Sequence, residues 1–507
     1  MNCIHNEQRR AVRKRTRLPI ASWPNQPGIP KSRMNGCSSW DKTTTLVPVV
    51  FILCCGVTGL CFPGDCGAND NRPSNQRLWI ATFQCDATPP VGSVLCHGNV
   101  PPAEQIDDPL TARGIILLAN EQPILLCAVD WVGISNAAHD LWRETLARAV
   151  GTTMDRVSVH ALHQHDAPGV DFTAGSLLAN CGLGGKMYHE AFSQKAIDRA
   201  AEAAAAALHQ PQQITHLGFG SGKVEHFASN RRILGPDGKV RAVRYTTCKD
   251  PNLRAEPEGT IDPFVKSISF WNGNRPVAVL TYYATHPQSY YGRGGISADT
   301  VGLARGIREA QVPNVAHLHF NGAGGNVGAG KYNDGSTENR SALANRLAVG
   351  MKMAWKATKK VPVSTSDVEW NTVAVSLPLR ESLDENSLLT MLHDDQATER
   401  DRLRAARDLA WMRRVNHGHK LTIGCLRIGT VRALHLPGEL FVEYQLAAQQ
   451  MLPDGFVCMA AYGDLGPGYI GTRVAYSQGG YETSRVSRTA PNVERILMAA
   501  IRSLLKK

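Results

Sequence analysis

The sequence predicts a large α/β protein, with a body of mixed β-sheets flanked by helices. Strand-like apolar runs recur along the body, some paired as hairpins. Helical stretches with few breakers alternate with them. No strong linker interrupts residues 76–503, so one large catalytic-sized body is expected rather than a string of modules.

In chain order, residues 1–42 come first. They lack an apolar period and carry Arg9, Arg10, Arg13, Lys14, Arg15 and Arg17. That pattern reads as a basic arm rather than a packed element. Leu46–Phe62 follows as 17 apolar or small residues behind Lys42. It resembles a signal-peptide hydrophobic region and is short for a membrane span. Met34 offers a second start that would leave a short n-region ahead of this run. Export from the cytoplasm is the expectation, with a retained N-terminal anchor and membrane association, or a cytosolic protein, as the alternatives. Residues 67–76 read as a spacer. The expected organisation is therefore a leader and spacer over 1–75 and a catalytic domain over 76–507.

In the body, LWIATFQCD is a strand stopped by Thr88-Pro89-Pro90. GIILLAN and PILLCAVDWVGI are two strands across a turn, with Asp130 at the polar end of the second. A helix is expected over 137–149. VSVHALHQHDAPG at 157–169 is a strand running into a loop. The alanine-rich stretch 187–209 is the clearest helix. Strands follow near 213–219 and 222–228, then a hairpin from SISFWN to VAVLTYYATHP. A helix over 299–310 leads to the strand VAHLHF and the glycine-rich loop 321–330. The polar stretch 381–414 is helical. Two strands in LTIGCLRIGTVRALHLPGEL precede a helix over 439–451, which Glu439 is expected to begin. No internal repeat is visible.

The chain has 507 residues, 55 basic and 44 acidic, for a net charge of +11. Nine of the basic and two of the acidic groups lie in residues 1–42, leaving the body a net of only +4. The basic character is thus local to the leader. The body shows no basic–aromatic stripe or finger spacing, which excludes a nucleic-acid partner. Of 13 cysteines, seven are in the body, and none forms a CxxC ligand pair. Cys127 and Cys425 sit in apolar runs and read as core residues. Cys85 with Cys96, or Cys181 with Cys248, are pairings open to an exported protein.

Several polar residues fall at strand ends. His160, His163 and His165 form HxxHxH. Period-2 alternation puts His163 and His165 on one side, and a strand ending near His160 would bring all three to one pocket. Imidazole pairs suit zinc, and Asp166 could ligate or orient a ring. Satisfied structural histidines are the alternative. His286 ends an apolar strand before Pro287. The loop NGAGGNVGAG at 321–330 lacks the lysine and hydroxyl residue of a P-loop. Its backbone N–H groups could serve an oxyanion. Glu439 lies in LPGEL, and Tyr469 lies in a glycine-rich stretch near the C-terminus.

In their order these motifs resemble the neutral/alkaline (non-lysosomal) ceramidase family over roughly residues 78–500. The family's THTHSGPG-type motif matches LHQHDAPG, its THP context matches ATHP, its PGE matches LPGEL, and its YVTTxEEY region looks like YIGTRVAY. The resemblance implies that His163, His286, Glu439 and Tyr469 hold Zn2+, with His165 facing the substrate or the metal-bound water. An Asn-Arg motif looks like SNRR and implies an active-site Arg231. Two departures matter. Gly324 stands where the family carries an active-site serine, so that loop offers only the backbone N–H groups of Gly324 and Gly325. Asp166 replaces the serine that follows the histidine pair, and with His165 it is a candidate proton shuttle. The family's immunoglobulin-like domain is not expected after the last motif. The implied function is a zinc-dependent hydrolase of amide or ester bonds acting on a small or lipid-like substrate. The alternative is a catalytically degenerate relative that binds a lipid or glycan in the same cleft.

Overall fold

The computed structural model describes residues 76–119 and 122–506. The basic arm, the hydrophobic run Leu46–Phe62, most of the spacer and the leader cysteines lie outside the described residues. Three mixed sheets make up the body. The first orders strands Val157–Ala161, Ile124–Val129, Thr111–Leu118, Leu78–Asp86 and Gln212–Ile214. The second orders Ala316–Asn321, Arg275–Tyr283, Phe264–Asn272, His216–Lys223 and Lys359–Pro362. The third orders Val368–Val375, Leu421–Ile428, Val431–His435 and Phe456–Ala460.

Each sheet is antiparallel except at one edge, where its last pair of strands is parallel. A parallel pair needs a crossover connection. Each crossover here carries a helix: Ala137–Val150, Asp299–Gln311 and Val442–Met451. A second helix packs beside each of them, namely Glu190–Ala207, Glu338–Lys356 and Val493–Lys506. Side chains of the strands alternate between cores, as period 2 requires. Leu78, Ile80, Ile115 and Leu117 share one core with Leu280 and Phe320 of the second sheet and Leu426 and Val431 of the third. Ala81, Phe83, Ala112 and Ile116 pack in another, with Trp142 and Ile197 of the first sheet's helices.

The three parallel edges meet. Ala161 donates to the carbonyl of Tyr462 at 3.0 Å, and Ala461 donates to that of Asn321 at 2.9 Å. The Asn321 side-chain amide donates to the carbonyl of Leu162. Edge backbone that would otherwise stay unpaired is thereby satisfied. The loops beyond the junction are clasped by two-residue pairings: Gly133–Ile134 with Gly169–Val170, Ser229–Asn230 with Val327–Gly328, and Glu439–Leu440 with Tyr469–Ile470.

Several local expectations change. The polar stretch 381–414 is two helices, Glu385–His393 and Glu399–Asn416. Thr398 caps the second by accepting from the backbone of Asp401. Glu439 does not begin a helix; it pairs with Tyr469 in a short parallel ladder, and the helix starts at Val442. All seven body cysteines are free thiols, with Cys127 and Cys425 buried in the core. Among the described residues, no helix is long and apolar enough to cross a membrane.

Candidate metal centre and cleft

The strand Val157–Ala161 ends before His163, which takes a left-handed φ of 66°. Strand alternation therefore does not aim the histidines; the loop turn does. His163 and His165 face the same cleft, whereas His160 points elsewhere. Its Nδ1 lies 2.7 Å from the Ala461 carbonyl and its Nε2 is 3.0 Å from His435 Nδ1. The expectation that all three histidines line one pocket fails because His160 lies within the strand, packed between the joined sheet edges.

His163 Nδ1 donates to the Val132 carbonyl at 2.6 Å, and His286 Nδ1 donates to the Gly324 carbonyl at 2.7 Å. Each bond fixes the tautomer and leaves an Nε2 lone pair facing the other ring. Glu439 Oε2 lies 3.2 Å from both of these nitrogens. Tyr469 Oη is 3.1 Å from His286 Nε2. His165 Nε2 is 3.4 Å from His163 Nε2, and His163, His165 and His286 together form a cluster able to hold a metal ion. The side-chain amide of Gln288 contacts His165 Nε2 and engages it.

These donors fit a cation. Tyr469 and Arg231 can each direct a hydrogen at His286 Nε2. Nothing does so for Glu439 Oε2, which is buried without a hydrogen-bond donor. Two imidazole lone pairs and a carboxylate oxygen at this spacing repel one another unless a positive charge sits among them. Burial first, and then Arg231 and His163, push His286 down to about 4, so protonation of that ring near pH 7 does not supply the charge. Ligands about 2.0–2.2 Å from a tetrahedral ion stand roughly 3.3 Å apart, which is the observed spacing.

Arg231 closes one side. Its Nη1 lies 3.3 Å from Tyr469 Oη and 3.4 Å from His286 Nε2, and its Nε is 3.3 Å from the fully buried Glu482. It packs over Tyr245, Tyr469 and Tyr481. Burial lowers its pKa, but Tyr469 and Glu482 outweigh this and raise it, so the guanidinium keeps its charge. The neighbouring Arg232 takes the other oxygen of Glu482 and donates to the carbonyl of Ala475.

Two expected site residues stand behind the cleft. Asp166 accepts from Gly292 N and from Arg340, both at 2.8 Å, so its carboxylate is committed to holding the 290s loop. Gly324 positions His286 through its carbonyl. A Cβ on Gly324 would meet the Thr285 backbone at 2.5 Å, so the loop admits no side chain there. The backbone N–H of Gly325 donates to Leu440 O at 2.7 Å and is not free to serve an oxyanion.

Sequence reasoning did not reach Gln288, Glu482 or Tyr462, whose ring stacks on His163 with centroids 4.8 Å apart. It also missed the cleft above the histidines, a cavity of about 240 Å³ whose lining includes Val132, Met187, Leu465 and several arginines. The two-residue offset of Gln288 from His286 was the one available signal; the others have no spacing signature.

The fold and site define an α/β protein with a candidate metal centre at the meeting point of three sheet edges. The structure is similar to that of neutral ceramidase from Pseudomonas aeruginosa, with a TM-score of 0.62 at 18% identity, covering 85% of this chain and 75% of that one. It is equally similar to a ceramidase complexed with C2, at 15% identity and the same coverage. The chain therefore has the neutral ceramidase fold. No protein-family model matches the sequence, and no curated protein matches it.

Proposed function

We propose that this protein is a metal-dependent hydrolase of amide or ester bonds. The observation that carries the reading is the buried Glu439 Oε2, 3.2 Å from two imidazole nitrogens with no hydrogen donor of its own. His163, His286, Glu439 and Tyr469 would hold the ion, and a nitrogen–oxygen set of this kind suits zinc. Bound there, zinc supplies an acidified water and Lewis-acid polarisation of an acyl carbonyl. His165, kept neutral by burial first and then by His163 and His286, is the proton carrier, acting at Nε2 under the hold of Gln288. Arg231, fixed by three tyrosine faces and Glu482, is the donor for the developing oxyanion. It takes over the task that a serine at position 324 has no space to perform.

A binding-only relative is the second reading, favoured by that same closed position at Gly324. The two readings separate in one experiment. The purified protein, loaded with zinc, is offered panels of acyl amides and esters, and metal content is measured beside a His163→Ala variant. The hydrolase reading expects release of amine or fatty acid, and loss of both zinc and turnover in the variant. Full zinc in the variant contradicts the ligand set. Zinc in the wild type without turnover on any panel member favours the binding protein.

A further inference from the structure

The cleft that holds His163 and His165 also has a strongly basic wall. Arg400, Arg404 and Arg407 lie on the helix Glu399–Asn416 at spacings of four and three residues, so they form one stripe facing the cavity. Arg485 and Arg488 complete the rim from the loop before the last helix. Few carboxylates answer them. Arg488 is paired with Asp408 at 2.6 Å. Arg404 and Arg485 share one oxygen of Asp401, each at 3.8 Å. Among the described residues, Arg400 and Arg407 have no salt-bridge partner. Arg404 Nη1 is buried with no hydrogen-bond partner. Among the described residues, Glu439, at the candidate metal centre, is the only acidic one lining the cleft.

Like charges three and four residues apart destabilise a helix, and desolvating them against one another costs more. A stripe of this kind in a cleft is satisfied by an anion, and guanidinium forks match carboxylate, sulfonate or phosphate geometry. His97, which lines the same cavity, lies within electrostatic reach of Arg407 and of His163, His165 and Glu439. The same cavity is also lined by apolar side chains, Val132, Met187, Leu403, Leu465 and Val486. An acyl chain or other apolar part has a surface there, and a neutral polar headgroup would leave the arginines unanswered.

We infer that the substrate is an anionic acyl amide or ester, in which a carboxylate, sulfonate or phosphate on the leaving part is held by Arg400, Arg404 and Arg407 while the acyl bond lies at the metal centre. The inference rests on the hydrolase reading and narrows it to a substrate class. For an amide, water adds across the acyl carbon–nitrogen bond. The acyl part leaves as a carboxylate, and the amine departs carrying its anionic group.

The test uses the full chain loaded with zinc. N-dodecanoylglycine, its neutral counterpart N-dodecanoylethanolamine, and dodecyl phosphate are titrated calorimetrically into the wild type and an Arg404→Gln/Arg407→Gln double variant. Zinc content serves as the folding control. The expected result is at least tenfold tighter binding of the glycine conjugate than of the ethanolamine conjugate. That preference should shrink with added salt and vanish in the double variant, which keeps its zinc. Tight binding of dodecyl phosphate, lost in the same variant, would show that the wall reads anionic charge in general and supports the inference. Equal affinity for the two amides, or a preference that survives the double substitution, overturns it. Arginine-dependent binding to phosphatidylglycerol vesicles without discrimination between the amides also overturns it, in favour of a membrane contact. Discrimination without hydrolysis of either amide refutes the hydrolase reading alone; hydrolysis of both amides without discrimination refutes this inference alone.

Discussion

Gly324 shows at the scale of a residue how the site is constrained. Its carbonyl fixes the His286 tautomer, and its Cα hydrogen faces the Thr285 backbone where a Cβ would stand at 2.5 Å. Backbone cannot swing aside as a flexible side chain can. Gly324→Ser is therefore expected to destabilise the protein by ~1–3 kcal/mol, the usual range for overpacking, and to weaken zinc retention by displacing His286. Thermal denaturation and metal analysis of the variant check this; an unchanged melting temperature with gained activity would contradict it. Asp166 is the opposite case. It sits one residue from His165, yet its oxygens serve Gly292 and Arg340. Asp166→Asn is expected to lower stability while leaving the pH profile of any turnover unshifted, because the carboxylate does not touch the cleft. A lost or displaced pH limb would restore the proton-shuttle role.

At the scale of elements, the strand ends are held by buried charge. Asp130, at the end of Ile124–Val129, accepts from Arg305 at 2.9 and 2.7 Å, from the Thr111 backbone and hydroxyl, and from Gln164 between the two cleft histidines. Removing one partner leaves the other charge buried and uncompensated. Asp130→Ala is expected to cost about 3–5 kcal/mol in urea denaturation, and a loss below about 1 kcal/mol would show that the pair is not holding the junction. Much of this level was legible beforehand. The hairpin across residues 272–275, the alanine-rich helix and the strand preceding His286 follow from local periodicity and turn residues. The ladder joining Glu439 to Tyr469 did not follow, because its strands are two residues long and 30 positions apart in the chain. Nor did the fate of His160, which depends on where Val157–Ala161 meets the third sheet. The arginine stripe lies in the stretch read only as polar and helical, and nothing in its own spacing distinguishes a solvated face from one turned to a cleft.

At the scale of the molecule, the three sheets share a plan that leaves no repeat in the sequence. Each has one parallel edge, two helices on one side, and its functional loops beyond the carboxyl ends of the parallel strands. Ligand sites in α/β sheets gather at such ends. The first sheet delivers His163 and His165, the second delivers His286, and the third delivers Glu439, with Tyr469 laddered beside it. An ion at this meeting point would bind the folded chain and not the unfolded one. Zinc at roughly a thousand times its Kd is then expected to add ~4 kcal/mol to stability. His163→Ala and His286→Ala should abolish that gain, as denaturation with and without a chelator would show.

Side chains from three sheets are expected to converge on one ion. Crystals grown with zinc, with diffraction recorded on both sides of the zinc absorption edge, address it directly. One anomalous peak is expected within about 2.0–2.2 Å of His163 Nε2, His286 Nε2 and Glu439, with Tyr469 Oη as the remaining protein ligand. A peak held instead by His165 without Glu439, or no peak in a fully zinc-equilibrated crystal, would contradict it.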